Sequence, residues 1–211
     1  TSNIQTPVAP CVGAGDCTII EFPSGRMGVV DIHNLPALDD DLRNELLAGY
    51  RGSDVYSMAR LAGVDLGRLE SQYLSRRQDA LTDPLAYYKQ HIGSMQDIFR
   101  FIVTHPDMDH MTGLHRVHAQ EPLINLQNFW HIGPHDFNLA DTTDDEWESS
   151  RFDRRDWETY QQIRDGAGTP KSLVKRQGEA GDFWTQDGVE IWAPTQALVD
   201  DAVEKDEPNI A

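Results

Sequence analysis

The chain has 211 residues, of which 39% are hydrophobic and 25% charged, so it is long enough for one domain with a full hydrophobic core. The formal net charge of −17 gives a surface that repels phosphate backbones, which argues against broad, sequence-independent nucleic-acid binding. The sequence contains no run of 18 apolar residues and no signal-peptide pattern, so a membrane span is not expected.

Cysteine content indicates the compartment. Cys11 and Cys17 are too few for a disulfide framework. Reduced thiols favour a cytoplasmic location, and each cysteine is expected to be a small buried residue.

The first elements predicted are a hairpin followed by helices. Apolar runs over 17–22 and 27–30 flank a turn that contains Pro23 and Gly25, which is typical of a β-hairpin, and Asp31 ends the second strand. Leucine and tyrosine residues at helical spacing predict amphipathic helices over about 39–92.

Strands and helices are then predicted to alternate to the end of the chain. A strand over 98–103 precedes a short helix over 113–119, and further elements follow: strand 124–130, helix 142–164, strand 189–193 and helix 196–204. This alternation predicts a layered α/β fold.

The segment THPDMDH follows the apolar strand at 98–103 and carries four side chains that bind metals well: His105, Asp107, Asp109 and His110. Residues two apart in extended backbone point the same way, so the first three are expected to converge, with His110 turning in from the next helix. Mixed nitrogen and oxygen donors suit Zn, Mn or Fe. The simpler alternative is a solvated polar loop.

The stretch His105-Pro106-Asp107-Met108-Asp109-His110 resembles the H-x-[HD]-x-D-H signature of the metallo-β-lactamase-fold hydrolases. Its Pro and Asp at the second and third positions are similar to the ComEC-like branch. The opening GDCTIIEFPSGRMGVVD is similar to the hairpin of that family, whose second strand ends in an aspartate, here Asp31. VEIWAPT, with the helix and EPN that follow, resembles the segment leading into the family's second half.

The resemblance implies a four-layer αββα sandwich over residues 1–211, with 39–92 as a helical insertion and one or two Zn, Mn or Fe ions between the sheets. His105 and Asp107 would bind the first ion, and Asp109 and His110 the second. A metal-activated water would attack a small-molecule or phosphodiester substrate, nucleic acid included. Asp109 would also act catalytically by orienting that water.

The sequence departs from the family pattern downstream of the motif. The family supplies a further histidine, then a bridging aspartate and a last histidine. His131, which follows a predicted strand, is the best candidate for the first of these, ahead of His135; His115 and His118 are expected at the surface. No strand follows EPNIA, so the C-terminal half of the fold is expected to be missing from this chain.

Two functions therefore stay open. The first is a metal-dependent hydrolase, for which the acidic surface leaves small esters and lactones open beside phosphodiesters. The second is a non-catalytic binding or assembly module that keeps the fold and part of the metal loop. A partner chain or an oligomer is compatible with both.

Overall fold

A computed structural model describes residues 16–34, 37–38, 40–93, 96–119, 124–133, 143–150, 152–166 and 168–205. Its strands are β1 Thr18–Glu21, β2 Met27–Val30, β3 Ile32–His33, β4 Ile98–Ile102, β5 Leu126–His131 and β6 Lys171–Val174. Its helices are α1 Asp40–Arg51, α2 Asp54–Leu61, α3 Leu66–Asp79, α4 Pro84–His91, α5 Met108–Met111, α6 Leu114–His118, α7 Asp144–Ser149, α8 Arg154–Asp165, α9 Asp182–Asp187 and α10 Gln196–Lys205.

Five strands form one mixed sheet in the order β1-β2-β4-β5-β6. The first two strands pair antiparallel, as the predicted hairpin requires, and each later neighbour pairs in parallel. Parallel neighbours need a crossover connection, and α1 to α4 supply it between β2 and β4. The prediction of an α/β fold is confirmed at this level.

The predicted helical region over 39–92 contains four helices. Asp83 caps α4 by accepting hydrogen bonds from the amides of Leu85 and Ala86, and Pro84 occupies the first helical position. Gly63 has a φ of 67° and separates α2 from α3, because this left-handed conformation ends a helix and costs glycine least. The single helix predicted over 142–164 is divided into α7 and α8.

The prediction of a strand over 189–193 is wrong, and the sequence analysis did not predict strand β6. Residues 189–194 lie outside the hydrogen-bonded sheet. The carbonyl of Pro194 accepts from the Gln177 amide, and the carbonyl of Ile191 accepts from the Gly178 amide. The edge position is taken by Lys171–Val174, which pairs with Asn128–His131 of β5. Residues 189–193 are half-buried or exposed and pair with no strand of the described sheet.

The hydrophobic core lies on one face of the sheet. Phe101 and Phe129 stack there at 5.8 Å between ring centroids, and Tyr160 of α8 meets Phe129 edge-on at 6.0 Å. Leu114 of α6 and Tyr88 of α4 are buried in the same cluster. Cys17 is a free, buried thiol in this core, as predicted, whereas Cys11 lies outside the described residues.

None of the helices in the described ranges has the length and apolar character needed to cross a membrane.

Candidate metal centre

Three parallel strands end at one edge of the sheet, and the motif loop lies there. The amide of Asp31, just after β2, donates to the carbonyl of Ile102 at 2.8 Å. The amide of Val103, just after β4, donates to the carbonyl of Trp130 in β5 at 2.9 Å. Carboxyl ends of parallel strands are the usual place for sites in α/β folds, so the predicted position of the motif is confirmed.

The structure brings the four motif side chains together in two pairs. His105 Nε2 lies 3.5 Å from Asp107 Oδ2, and His110 Nε2 lies 3.6 Å from Asp109 Oδ2. The two imidazole rings are 3.8 Å apart between centroids. The helical turn α5 begins after the first pair and carries the second pair, and the buried side chain of Met111 anchors it in the protein.

These pairs have the right donors for a metal but an incomplete ligand shell. Two ligand atoms bound to one tetrahedral zinc lie about 3.3 Å apart, so each histidine–aspartate pair needs only a small adjustment to share an ion. Among the described residues no group of three His, Cys, Asp or Glu side chains converges on one cation position. Each pair thus supplies two ligands, and water or substrate would complete the shell.

Asp31 orients His110 and is the site residue whose role the sequence did not predict. The residue is 3% exposed, and its carboxylate accepts hydrogen bonds from the Thr104 amide at 2.8 Å and the Thr104 hydroxyl at 2.7 Å. His110 Nδ1 lies 2.9 Å from the same carboxylate and must donate to it. The neutral His110 ring then keeps its lone pair on Nε2, the atom that faces Asp109.

The same hydrogen-bond chain sets the tautomer of His105. The Thr104 hydroxyl gives its proton to Asp31, so it can only accept from His105 Nδ1, which lies 3.0 Å away. In its neutral form His105 therefore also presents the lone pair of Nε2, on the side of Asp107. Ligating histidines typically donate their second ring nitrogen in this way, which fixes the ring and raises its basicity.

A short parallel contact fixes the other side of the loop. Ile32 and His33 of β3 form bridges with Met111 and Thr112. The ring of His33 is fully buried, and its Nδ1 lies 3.1 Å from the carbonyl of Asp109. The backbone at Asp109 is therefore held from the end of the hairpin.

His131 is not brought together with the four motif residues. Its Nδ1 accepts from the Gly133 amide at 3.1 Å, and its Nε2 lies 3.0 Å from the Ser172 hydroxyl. Burial lowers the pKa of His131 from 6.5 to about 4, so the ring is neutral at physiological pH. Its role as a metal ligand stays a prediction, and the ring nitrogen that bound the metal would have to give up its present hydrogen bond.

His115 is not the simple surface residue that was expected. Its Nδ1 lies 2.6 Å from Asp156 of α8, which is fully buried and also accepts from the amides of Gly113 and His115 at 2.9 and 2.8 Å. Asp156 thereby ties α8 to the chain just after the motif. His118 is half-buried on the same short helix, and His135 lies outside the described residues.

No protein-family model, curated protein or solved structure matches this chain. Membership of the metallo-β-lactamase-fold hydrolases therefore stays a prediction, which rests on the motif and on its position at the sheet edge.

Proposed function

We propose that this chain is a metal-dependent hydrolase whose metal centre is built on His105, Asp107, Asp109 and His110. The observation that carries the proposal is the hydrogen-bond chain from Asp31 through Thr104. In the neutral form of both motif histidines, this chain leaves the Nε2 lone pair beside a carboxylate, at the sheet edge where α/β enzymes place their sites. A solvated polar loop would not need two fixed tautomers.

Zn, Mn or Fe bound there, as one or two ions, would supply a water that ionises near neutral pH. The chain's own residues have separate tasks. His105 and His110 donate lone pairs, while Asp107 and Asp109 add negative charge and oxygen donors. Asp109, whose side chain is 38% exposed, is the residue we expect to orient the attacking water and to accept its proton, as the family resemblance implies.

The four-layer αββα sandwich is part of the same proposal. Helices α4, α6 and α8 bury their apolar residues against one face of the sheet, which corresponds to one α–β half of such a sandwich. The second sheet would lie against the opposite face, where Ile102 and Trp130 point. The prediction of one domain with a helical insertion over 39–92 belongs to this arrangement.

The alternative is a non-catalytic binding or assembly module with the same fold. The incomplete ligand shell and the hydrogen-bonded His131 favour it. Such a module would bind metal weakly and turn over no substrate, so the two functions are separated by a rate measurement.

The test is hydrolysis by purified chain reconstituted with Zn or Mn, on p-nitrophenyl carboxylic esters and on bis-p-nitrophenyl phosphate. We expect turnover that depends on added metal and falls by at least about 100-fold in His110→Ala. The matched control is His91→Ala, an exposed histidine at the end of α4, which should keep the parent rate. A metal-loaded parent without turnover of either substrate class would contradict the proposal and favour the binding module.

A further inference from the structure

Helix α2 is attached to the protein through Tyr56 and leaves its apolar side chains in solvent. The Tyr56 hydroxyl donates to Glu70 of α3 at 2.7 Å, and its ring meets that of Tyr50 in α1 edge-on at 5.4 Å between centroids. None of the residues of α2, all of which the structure describes, is buried. A surface helix normally turns its apolar stripe toward the core, so α2 is oriented the opposite way.

Three residues of α2 form an exposed apolar stripe. Val55, Met58 and Leu61 are 63%, 63% and 85% exposed. They follow one another at three-residue steps, which puts them side by side on one face of the helix. Val64, just after the helix, is 45% exposed and extends the apolar surface. Single exposed apolar residues are ordinary, whereas an adjoining group of them is typical of a surface that binds a partner.

We propose that this stripe is the contact of a symmetric homodimer, in which α2 lies antiparallel to α2 of a second copy of the chain. In a two-fold interface both copies use the same surface. The stripe suits such an axis because Met58 is its midpoint. Met58 would then pack on Met58 of the partner subunit, and Val55 on Leu61 of the partner subunit, so that every residue of the stripe is covered by the stripe itself.

The distribution of charge along the chain favours a second copy at this surface. Residues 40–79, which contain α1, α2 and α3, carry seven acidic residues and six arginines, so only one unit of the net charge of −17 lies there. Residues 134–211 carry eleven of those units. Two copies that met through their acidic parts would repel each other, whereas a surface of mixed sign can place opposite charges across a two-fold axis.

The size of the stripe sets the strength of the dimer. Stable interfaces of standard size bury about 800 Å² on each partner, and the side chains of Val55, Met58, Leu61 and Val64 cover only part of such an area. We therefore expect a weak and reversible dimer, with a dissociation constant on the order of 10–100 µM. Association of this strength depends on the concentration of the chain, so it can be followed directly.

The test is sedimentation equilibrium of the full chain at about 5–500 µM, in about 0.15 M salt, where the Debye length of about 8 Å screens the acidic parts of two copies from each other. We expect a monomer–dimer equilibrium in the parent.

Two variants locate the axis. Met58→Glu and Met58→Lys each place like charges on it and should weaken self-association at least about tenfold. An equimolar mixture of the two should associate at least about tenfold more tightly than either variant alone, because opposite charges then meet. Leu198→Glu, at a half-exposed position of α10, is the control and should dimerise as the parent does.

Each outcome decides for or against the two-fold contact at Met58. Weakened variants whose mixture recovers association would support it. A parent that stays monomeric through the whole concentration range would overturn it, because the stripe would then be covered by something other than a second copy. A parent dimer that neither variant weakens, or a mixture that recovers nothing, would overturn it as well. Metal-dependent turnover is a separate measurement, so the hydrolase proposal stands or falls independently of the dimer.

Discussion

Asp31→Asn is expected to lower metal affinity by about 10- to 100-fold while the chain stays folded. The amide nitrogen of asparagine would replace the carboxylate oxygen that accepts from His110 Nδ1. His110 must then accept at Nδ1, which places its proton on Nε2 and removes the lone pair that faces Asp109. Asparagine also tolerates the positive φ of 53° at this position.

The measurement is a zinc titration of the parent and variant, with circular dichroism to verify folding. Asp65→Asn is the matched control, because Asp65 caps α3 and asparagine caps equally well. Asp31→Ala should destabilise the fold more than Asp31→Asn does, since it also leaves the Thr104 amide unpaired at a cost of about 1–3 kcal/mol. Parent-like zinc affinity in Asp31→Asn would show that the Asp31 carboxylate does not set the His110 tautomer.

Asp187→Ala is expected to destabilise the fold by about 3–5 kcal/mol. Arg100 projects from β4 with a side chain that is 1% exposed, and its guanidinium lies 2.5 Å from the fully buried carboxylate of Asp187 in α9. Aromatic rings surround this cation, among them Phe22 and Trp130 at 4.9 and 5.1 Å. Burial lowers the pKa of Arg100, and the Asp187 carboxylate opposes that shift, so removing Asp187 leaves a buried charge without its counter-ion.

The free energy of unfolding, measured with denaturant, gives this cost, and two further variants show its cause. Arg100→Met combined with Asp187→Leu should lose less stability than Asp187→Ala alone, because the buried guanidinium is removed together with its counter-ion and only the partly exposed Arg26 loses a partner. Asp201→Ala breaks the exposed pair with Lys205 at 2.7 Å and should change the free energy of unfolding by less than about 1 kcal/mol. An Asp187→Ala chain within about 1 kcal/mol of the parent would contradict a buried ion pair at this position.

Local sequence patterns predicted the hairpin and the motif strand correctly, whereas strand order depended on distant partners. Residues 17–30 carry their turn and their apolar runs within one short segment, so no remote information is needed. Lys171–Val174 is a strand only because β5 offers it a free edge some 40 residues away. Residues 189–193 have a strand-like composition, but the segment through Pro194 makes backbone hydrogen bonds with Gln177 and Gly178 and joins no strand of the described sheet.

The sequence placed the motif residues together but not the groups that orient them. Asp31 and His110 are 79 positions apart, and they meet only because β2 and β4 pair in parallel. His131 shares the inward face of Phe129, two residues earlier, so strand alternation directs its ring toward Tyr160 of α8. That signal was present in the sequence and would have lowered the expectation that His131 is a ligand.

Metal content by plasma mass spectrometry, on the purified chain and on Asp109→Ala and His110→Ala, tests the proposed metal centre most directly. A metal centre at the sheet edge predicts about one or two equivalents of Zn, Mn or Fe in the parent and their loss in both variants. No bound metal in the parent after reconstitution, or equal metal in parent and variants, would contradict it.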